Sequence, residues 1–391
     1  MKKNMYALIF ILSLTSCDFL TSAGQQPQLL WQAPISNGRL IEGAMSLTIV
    51  QDHVIALGID GKKSTLFGIN RNAGNKVWQW SDFFLSDKSV LVDYLHDYDN
   101  ILVVNNRLYN YGINTLNGQT LWSNETSRNT EWGSQGATGV GKTYFFSTIN
   151  DSANAILGNI LTGKERAILK YPKSISPYWI VPIIRSSDTL LVMTLIYGEA
   201  STSFRNKTYL ALFNLTSGQK IYELLQREAE TPAINVRPDG LPIIDDNRIF
   251  TAIGQSIQCN DLLTGKLMWR TNTDYNFWLS GIIQADKKII GCSSLGTLYA
   301  LKQEDGQILW QTKVPGSSRT PFFMNGIIYI IGGDDGLLYA IDATDGKILW
   351  KIASPDNASN KQTFFTGVVT GKDGKIYASS YLNLYCYKAA R

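Results

Sequence analysis

The sequence predicts an all-β protein, an eight-bladed β-propeller with four antiparallel strands in each blade. Three observations predict this fold: the composition, a turn motif that recurs along the chain, and a repeat whose halves stand at opposite ends. The 391 residues are 44% hydrophobic, 17% charged and 11% aromatic, with 33 glycines. Many aromatic residues and glycines with few charges favour strands and tight turns over long helices.

The turn motif is a strand, a turn with a glycine and a second strand, as in CNDLLTGKLMW at 259–269. Four residues before each turn glycine stands Asn or Asp, except for Lys302, and such a side chain can bond backbone N–H groups of the turn. The glycine supplies a positive φ where the strands reverse. The seven turn glycines are Gly74, Gly118, Gly163, Gly218, Gly265, Gly306 and Gly346. A second apolar hairpin precedes each copy, so every unit has four strands, A to D, and units recur every 40 to 55 residues, as propeller blades do.

The eighth unit is divided between the two ends of the chain. Near the start, residues 29–35 read LLWQAPI and align with the strand D sequence ILWQTKV at 308–314. At the end, residues 383–391 read NLYCYKAAR and align with the strand C sequence TLYALK at 297–302. We therefore expect the N- and C-terminal strands to pair in one blade, which closes the ring and covers the edges of the first and last blades.

Strand D carries a tryptophan at a fixed place in six of the eight predicted blades. One large flat ring at the same place in each repeat suits packing against the neighbouring blade. Ligand stacking is the alternative role, but the spacing of these residues follows the fold, so a structural role is favoured. Ala167 and Tyr222 interrupt the series in blades 3 and 4. The predicted blade-docking residues are Trp31, Trp78, Trp122, Trp269, Trp310 and Trp350.

The first residues form a targeting segment that stands outside the fold. Residues 1–16 are predicted to be a lipoprotein signal peptide, because two lysines precede an apolar run, MYALIFILSL, that is too short to span a bilayer. The following Leu-Thr-Ser-Cys resembles the lipobox of bacterial lipoproteins, which implies cleavage before Cys17 and lipidation of this residue. Residues 17–28 would then be a lipid-anchored tether, and residues 29–391 the propeller. An ordinary secretory signal with a chance cysteine at the junction is the alternative.

Charge and cysteine usage narrow the classes of partner. The net charge is +4, two of these charges lie in the predicted signal peptide, and there is no basic stripe, so nucleic acid is not an expected partner. Cys259 and Cys386 occupy a repeat position that holds alanine elsewhere, and Cys292 follows apolar residues and a glycine. We expect all three to be small buried core residues and not disulfide partners.

The two histidines give only a weak indication of a metal site. His53 and His96 both fall in predicted turns between strands A and B, and Asp97 and Asp99 follow the second of them. A metal would need further ligands that the sequence does not place there, so a solvated turn is favoured. We therefore predict no catalytic residue, no metal site and no cofactor-binding residue.

The repeat resembles a known one. The pattern A-x-D-x-x-T-G-x-x-x-W resembles the tryptophan-docking repeat of PQQ-type propellers, and residues 259–269 match it in all but the first position. Quinoprotein dehydrogenases share this repeat with the non-enzymatic BamB family, the lipid-anchored eight-bladed propellers of the outer-membrane β-barrel assembly machinery. Quinoprotein alcohol dehydrogenases are much longer and carry a vicinal disulfide, whereas this sequence has no Cys-Cys pair. The lipobox, the length and the count of eight are similar to the BamB family.

This resemblance implies a non-enzymatic scaffold without a cofactor, which assists β-barrel assembly through protein–protein contacts. It also implies a lipid anchor in the bacterial outer membrane and a propeller that faces the periplasm. Asp18, directly after the lipidated cysteine, resembles an inner-membrane retention signal of some bacteria, so the inner membrane is an alternative location of the protein. Two other functions also stay open: a quinoprotein-like or carbohydrate-active enzyme that uses the central channel, and a propeller that binds a ligand or glycan without catalysis.

Blades 3 and 4 offer the predicted partner surface, because the longest spacing between turn glycines lies there. We predict three long segments on the face where the B–C turns and D–A connections emerge, at 170–176, 198–207 and 223–240. Long loops on a rigid scaffold often carry recognition. Phe204, Arg205 and Arg237 in these segments are the predicted contacts, and drift in a weakly constrained blade is the alternative.

Overall fold

The computed structural model describes residues 26–36, 47–61, 63–83, 94–98, 100–105, 109–125, 134–140, 143–148, 154–172, 174–197, 207–229, 236–277, 280–316, 320–356 and 365–390. The predicted signal peptide, Cys17 and most of the predicted tether lie outside these ranges, as do Phe204 and Arg205. Within the described ranges, no helix has the length and apolar character needed to cross a membrane.

Thirty-two strands make up the described fold. The first seventeen are β1 Leu29–Pro34, β2 Leu47–Val50, β3 His53–Asp60, β4 Lys63–Asn70, β5 Lys76–Trp80, β6 Tyr94–Tyr98, β7 Ile101–Asn105, β8 Tyr109–Asn114, β9 Thr120–Glu125, β10 Ser134–Val140, β11 Thr143–Thr148, β12 Asn154–Asn159, β13 Glu165–Lys170, β14 Ile175–Arg185, β15 Asp188–Tyr197, β16 Lys207–Asn214 and β17 Gln219–Glu228. The others are β18 Ile243–Asp245, β19 Arg248–Ala252, β20 Ser256–Asp261, β21 Leu267–Asn272, β22 Ile282–Ala285, β23 Lys288–Cys292, β24 Thr297–Lys302, β25 Ile308–Lys313, β26 Phe322–Met324, β27 Ile327–Ile331, β28 Leu338–Asp342, β29 Ile348–Ile352, β30 Phe365–Lys372, β31 Lys375–Ser380 and β32 Asn383–Lys388.

In the described part of the chain these strands form eight four-stranded antiparallel sheets. Seven sheets use four consecutive strands, and we number them in chain order from sheet 1 (β2–β5) to sheet 7 (β26–β29). Sheet 8 has the order β1-β32-β31-β30 and so joins the first strand to the last three. The all-β prediction is confirmed, and so is the assignment of four strands to each unit.

The turn chemistry read from the sequence is present in the structure. The seven turn glycines have φ between +69° and +76°, the left-handed region that favours glycine. In sheet 1 the side-chain oxygen of Asn70 accepts the backbone N–H groups of Asn72 and Ala73, both at 2.9 Å. The same residue position accepts turn N–H groups in six of the seven sheets, and in sheet 6, which has Lys302 there, Asp305 accepts the N–H of Gln307 instead.

Strand pairing in sheet 8 follows the predicted alignment of the chain ends. Trp31 pairs with Cys386, and Pro34 pairs with Asn383. One residue before β1, the carbonyl of Gln28 accepts the backbone N–H of Lys388 at 2.9 Å. The predicted pairing of the N- and C-terminal strands is confirmed.

The core is divided among the interfaces of neighbouring sheets. Sheets 8 and 1 share a buried cluster that includes Ala33 and Cys386 from one side and Val54 and Phe67 from the other. Seven further clusters join the other neighbouring pairs, from sheets 1 and 2 through to sheets 7 and 8. Each sheet is thus covered on both faces, which explains the near-continuous apolar runs of its middle strands.

Two sequence expectations about turns and loops are wrong. Neither histidine lies in a turn. His53 begins β3 and pairs with Val50, and His96 belongs to β6 with Asp97 and pairs with Val103. The segments at 170–176 and 223–240 are shorter as loops than expected, because Lys170 ends β13, Ile175 begins β14, and β17 extends to Glu228. The physical reason is that sheet 4 has unusually long strands, which absorb most of the extra residues into backbone pairing.

Candidate functional site

Aromatic side chains on the outer strands bond to a turn of the next sheet. The indole Nε1–H of Trp78 donates to the carbonyl of Thr115 at 2.9 Å. In sheet 4, Tyr222 takes the tryptophan's place, and its hydroxyl donates to the carbonyl of Leu262 at 2.9 Å. Equivalent bonds run from Trp31, Trp122, Trp269 and Trp310 to the carbonyls of Arg71, Ile160, Gln303 and Ala343. Rings held in this way between sheets are not free to stack on a ligand.

An open groove lies between sheets 4 and 5, at the end of the sheets where the A–B and C–D turns emerge. Its volume is about 590 Å³. The β14–β15 hairpin forms one wall and the β18–β19 hairpin forms the other. The lining residues are Ile183, Ile184, Arg185, Ile244, Asp246, Asn247 and Leu262.

The two hairpin tips of the groove are fixed by backbone geometry and side-chain bonds. Ser186 and Asp246 have φ of +56° and +53°, so each tip turns within two residues, as in tight hairpins. Below one tip, the carboxylate of Asp188 accepts the amide of Asn214 at 3.0 Å. Below the other, Arg248 pairs with Asp245 at 3.0 Å. The walls are therefore rigid, and this favours recognition without a large ordering cost.

The groove combines an apolar surface with two charges. Ile184 is 66% exposed, a large value for an isoleucine, and Ile183, Ile244 and Leu262 lie beside it. Arg185 on one wall and Asp246 on the other are both exposed, and neither forms an ion pair within the described ranges. Apolar anchors framed by charges of both signs are the usual anatomy of a protein–protein contact.

Beside the groove, the interface of sheets 4 and 5 has a polar network in addition to its apolar cluster. Gln258 and Asn260 on β20 are fully buried, and their amides donate to the side-chain oxygen of Gln226 on β17 at 3.0 and 2.7 Å. Arg270 donates to Gln258 at 3.0 Å and to the carbonyl of Gln226 at 2.6 Å. Such a network, buried at Gln226, Gln258 and Asn260 and covered by the exposed Arg270, fixes the relative position of the two sheets.

Sequence reasoning missed this interface and the groove. Gln258 and Asn260 stand where sheet 6 has Tyr299 and Leu301, and this exchange of apolar for polar residues was a readable signal. Ile184 gave no signal, because one more isoleucine at the end of an apolar strand looks like core. Ile184 is exposed because β14, at 11 residues, is long enough for its end to extend beyond the neighbouring sheet.

Of the predicted partner contacts, the described ranges contain Arg237 alone. Its Nε donates to Asp239 at 3.1 Å, and the side chain of Asp239 is only 2% exposed. This ion pair lies in the connection from β17 to β18, at the opposite end of the sheets from the groove. Arg237 is thus engaged with its own loop, and the structure does not bring it to the groove.

The cysteines and histidines of the described residues form no reactive centre. Burial raises the pKa of Cys259 to about 12 and that of Cys386 to about 11, so both stay protonated and unreactive. Burial lowers the pKa of His53, and the nearby Asp52 opposes this shift. No three His, Cys, Asp or Glu side chains in the described ranges are grouped so as to hold a metal ion. All three cysteines are buried, as expected from the sequence.

Solved structures show the same fold. The chain resembles the computationally designed Ika8 protein with a TM-score of 0.67, 14% identity and coverage of 93% of this chain and 100% of the other. It resembles BamB from Moraxella catarrhalis with a TM-score of 0.64, 15% identity and coverage of 93% and 100%. It resembles the C-terminal WD40 domain of Sif2 with a TM-score of 0.62, 11% identity and coverage of 90% and 98%. At these identities the likeness establishes a propeller-like fold and no activity.

Sequence comparison gives the family. A search of curated proteins finds no significant match. The family model described as "Outer membrane protein assembly factor BamB" matches residues 181–312 and 294–390, together more than half of the chain. The tryptophan-docking turns and the BamB-like fold agree with this match, and we conclude that the chain belongs to the BamB family of PQQ-type propellers.

Proposed function

We propose that this chain is a non-enzymatic propeller scaffold, anchored by a lipid on Cys17, that docks a protein of the outer-membrane β-barrel assembly machinery. The groove between sheets 4 and 5 is the docking site. One observation carries this choice: Ile184, a large apolar side chain that is 66% exposed, stands on a rigid hairpin beside Arg185, and Asp246 lies on the facing wall. The family match supplies the class of partner.

The scaffold is an eight-bladed propeller closed at sheet 8. In support, a buried apolar cluster joins each neighbouring pair of sheets, including sheets 8 and 1. A ring of sheets presents its turns on two flat faces, and the groove opens on the face of the A–B and C–D turns. A rigid platform with one shaped face suits a protein that positions others.

The tether supports an orientation toward the membrane. Leu29 pairs with Tyr387 near the end of β32, so residues before β1 leave sheet 8 from the same face that carries the groove. Residues 17–28 reach about 40 Å when extended. The groove then faces the lipid-anchored side, where a membrane-bound partner would present its periplasmic parts. The outer membrane is the proposed address, and fractionation of the two membranes tests it against the inner membrane.

Substitution of the exposed isoleucine tests the docking site. We expect Ile184→Asp to reduce recovery of a β-barrel assembly protein at least tenfold, because it places a charge at an apolar contact. The measurement is quantitative mass spectrometry of a crosslinked pull-down from native membranes, with a tag after Arg391. Recovery unchanged in Ile184→Asp would remove the groove from the proposal.

Leu309→Asp is the matched control, since Leu309 is 45% exposed on the outer strand of sheet 6, away from the groove. It should leave recovery unchanged. Two further variants, deletion of residues 201–205 and Arg237→Ala, test the surface predicted from the sequence. If only these variants lose recovery of the partner, the contact lies on that surface and not in the groove. Failure of the wild-type protein to recover any barrel-assembly component would contradict the proposed partner itself.

Calorimetry addresses the enzyme and ligand alternatives. Both would use the central channel, where a quinoprotein-like enzyme binds PQQ with Ca²⁺. We expect no heat of binding when the intact protein is titrated with PQQ in the presence of Ca²⁺. A saturable heat of binding with one site per chain would contradict the scaffold proposal and favour a quinoprotein-like enzyme.

A further inference from the structure

Two arginines meet at the outer edge of the interface between sheets 4 and 5. Arg227 on β17 donates from Nη1 to the hydroxyl of Ser256 at 2.9 Å. Arg270 on β21 donates from Nε to the side-chain oxygen of Gln258 at 3.0 Å. Ser256 and Gln258 stand two residues apart on β20, so they share one face of the strand with a separation of about 7 Å. The two guanidinium groups are thus fixed side by side.

The two positive charges have no counter-charge within the described part of the chain. Neither arginine forms an ion pair there, and the carboxylate of Glu228, next along β17, pairs with Lys207 at 2.9 Å. Desolvation of its guanidinium lowers the pKa of Arg270, and the nearby charge of Arg227 lowers it further. An anion placed between the two groups would remove their mutual repulsion.

Both guanidinium groups keep N–H donors for a ligand. A guanidinium carries five N–H groups. Within the described residues, Arg270 uses two of them, on Gln258 and on the carbonyl of Gln226, and Arg227 uses one. Gln258 and Gln226 are in turn bonded to each other in the buried network, at 3.0 Å. A carboxylate can therefore bind both arginines without reordering Arg270, and this lowers the entropic cost of binding.

Two exposed leucines lie beside the arginine pair. Leu267 on β21 is exposed and pairs with Asn260. Its neighbour on the same face is Arg270, whose partner Gln258 is two residues from Asn260, so the two side chains stand about 7 Å apart. Leu224 on β17 is exposed as well, and its side chain lies against the turn of sheet 5. The edge thus presents an apolar pair next to a positive pair.

We propose that this edge docks an extended segment of a partner protein that carries an acidic residue two positions from an apolar residue. The four docking residues are Leu224, Arg227, Leu267 and Arg270, and we call them the arginine edge. Residues i and i+2 of an extended chain point to the same side about 7 Å apart, which matches the separation of the two pairs. The carboxylate binds between the guanidinium groups, and the apolar side chain covers the leucines.

The arginine edge is separate from the groove, although both lie between sheets 4 and 5. The groove is lined by hairpin tips at 183–185 and 246–247, whereas Arg227 lies near the end of β17 and Ser256 begins β20, at the other end of the sheets. This end points away from the face that carries the tether, so the geometry favours a protein segment over a lipid headgroup. Binding at the arginine edge does not require the groove.

The tripeptide N-acetyl-Leu-Ser-Asp-amide is the probe for this site. We titrate the intact protein and follow the Nε–Hε NMR signals of its arginine side chains. The signals of Arg227 and Arg270 should shift saturably, with a dissociation constant on the order of 1 mM. N-acetyl-Leu-Ser-Asn-amide lacks the charge and should bind roughly fivefold more weakly. N-acetyl-Gly-Ser-Asp-amide lacks the apolar side chain and should bind about threefold more weakly.

Arg227→Gln is the decisive variant, because it removes one charge and leaves the bonds of Arg270 in place. It should weaken binding of the acidic peptide roughly fivefold and leave binding of the neutral peptide unchanged. Arg166→Gln is the matched control, since Arg166 is exposed on the outer strand of sheet 3 and its loss changes the net charge equally. If Arg227→Gln disturbs folding, Arg227→Lys keeps the charge without the planar fork and should bind the peptide with intermediate affinity.

Three results would overturn the proposal. One is the absence of saturable shifts at Arg227 and Arg270 in the wild type, and another is equal affinity for the acidic and neutral peptides. The third is a response of both signals to inorganic phosphate without a response to the peptide, which would assign the site to a phosphate-bearing ligand. Because Ile184→Asp is expected to bind the peptide normally, failure of the groove proposal and failure of this proposal are distinguishable.

Discussion

Tyr222 shows how much of an interface depends on one side chain. It stands where other sheets have tryptophan, yet it keeps both contacts of the docking position, the ring on Gly265 and the donor to Leu262. Ala167, which aligns with it one sheet earlier, pairs with Ile156 and therefore faces sheet 2 instead of sheet 4. The two exceptions to the tryptophan pattern therefore differ in kind, and the sequence motif alone did not separate them.

The hydroxyl of Tyr222 offers a direct test of this position. Tyr222→Phe should lower the free energy of unfolding by about 1 kcal/mol, because the Leu262 carbonyl loses its donor while the ring contact remains. Urea denaturation followed by circular dichroism measures the change. Tyr275→Phe removes a hydroxyl from a 40% exposed ring and should have little effect. A loss of the same size in both variants would contradict a specific role for the Leu262 bond.

Thiol reactivity tests the burial of the cysteines. At pH 8 the folded protein should react slowly with a disulfide reagent at Cys259, Cys292 and Cys386, since all three are fully buried and burial raises the pKa of Cys259 and Cys386 well above the solution pH. After unfolding in guanidinium chloride the three thiols should react within the same assay. Rapid reaction of even one of them in the folded state would show an accessible thiolate.

The sequence predicts residues well where the repeat itself sets the environment. The Asn and Asp residues before the turns, the turn glycines and the buried cysteines each recur at one register position, so their structural role could be inferred by alignment. Ile184 and Ala167 could not be interpreted in this way. The exposure of Ile184 depends on the length of β14, and the direction of Ala167 depends on a register shift in β13, and neither belongs to the repeat pattern.

Among the elements, β17 shows how a long outer strand avoids pairing with another chain. It spans ten residues and exposes Ile221 and Leu225, features that usually invite edge-to-edge association. A register shift leaves Gln226 unpaired between Leu225 and Arg227, and Arg270 bonds the outward carbonyl of Gln226 at 2.6 Å. The register shift and the bonded carbonyl of Gln226 interrupt the free edge of β17, so another strand cannot pair along its full length.

Sheet 8 gives a prediction at the scale of an element. Removing residues 29–35 from the protein should expose the edge of β32 and the apolar face that Ala33 and Ile35 cover. We expect a loss of thermal stability and association through the open edge, measured by light scattering of the purified protein. Trp31→Ala keeps the strand and is the control, with destabilisation of about 3 to 5 kcal/mol at most and no association. A monomeric and fully stable truncated protein would contradict closure by this strand.

In the whole molecule, stability and recognition depend on different residues, because the core lies at the interfaces between sheets and the turns lie outside it. Each apolar cluster joins two neighbours only, so substitutions on the turns of one sheet disturb no distant contact. The faces of the propeller can therefore vary while the interfaces hold the fold, which is how one scaffold serves many partners. This explains why the sequence predicts the architecture well and the docking groove poorly. The repeat sets the residues at the interfaces between sheets. The groove is formed by sheet 4, whose long strands depart from the repeat.

The pairing of β1 with β32 also governs how the chain reaches its native state. Leu29 pairs with Tyr387, so this contact joins residues that are almost the full length of the domain apart. Loop-closure entropy opposes such a contact until the intervening sheets have folded and brought the two ends together. We therefore expect sheet 8 to form last, and before that step β32 would offer its edge to any extended chain. A delay in this step would expose the protein to misassembly, and a chaperone that protects it would act before β1 pairs with β32.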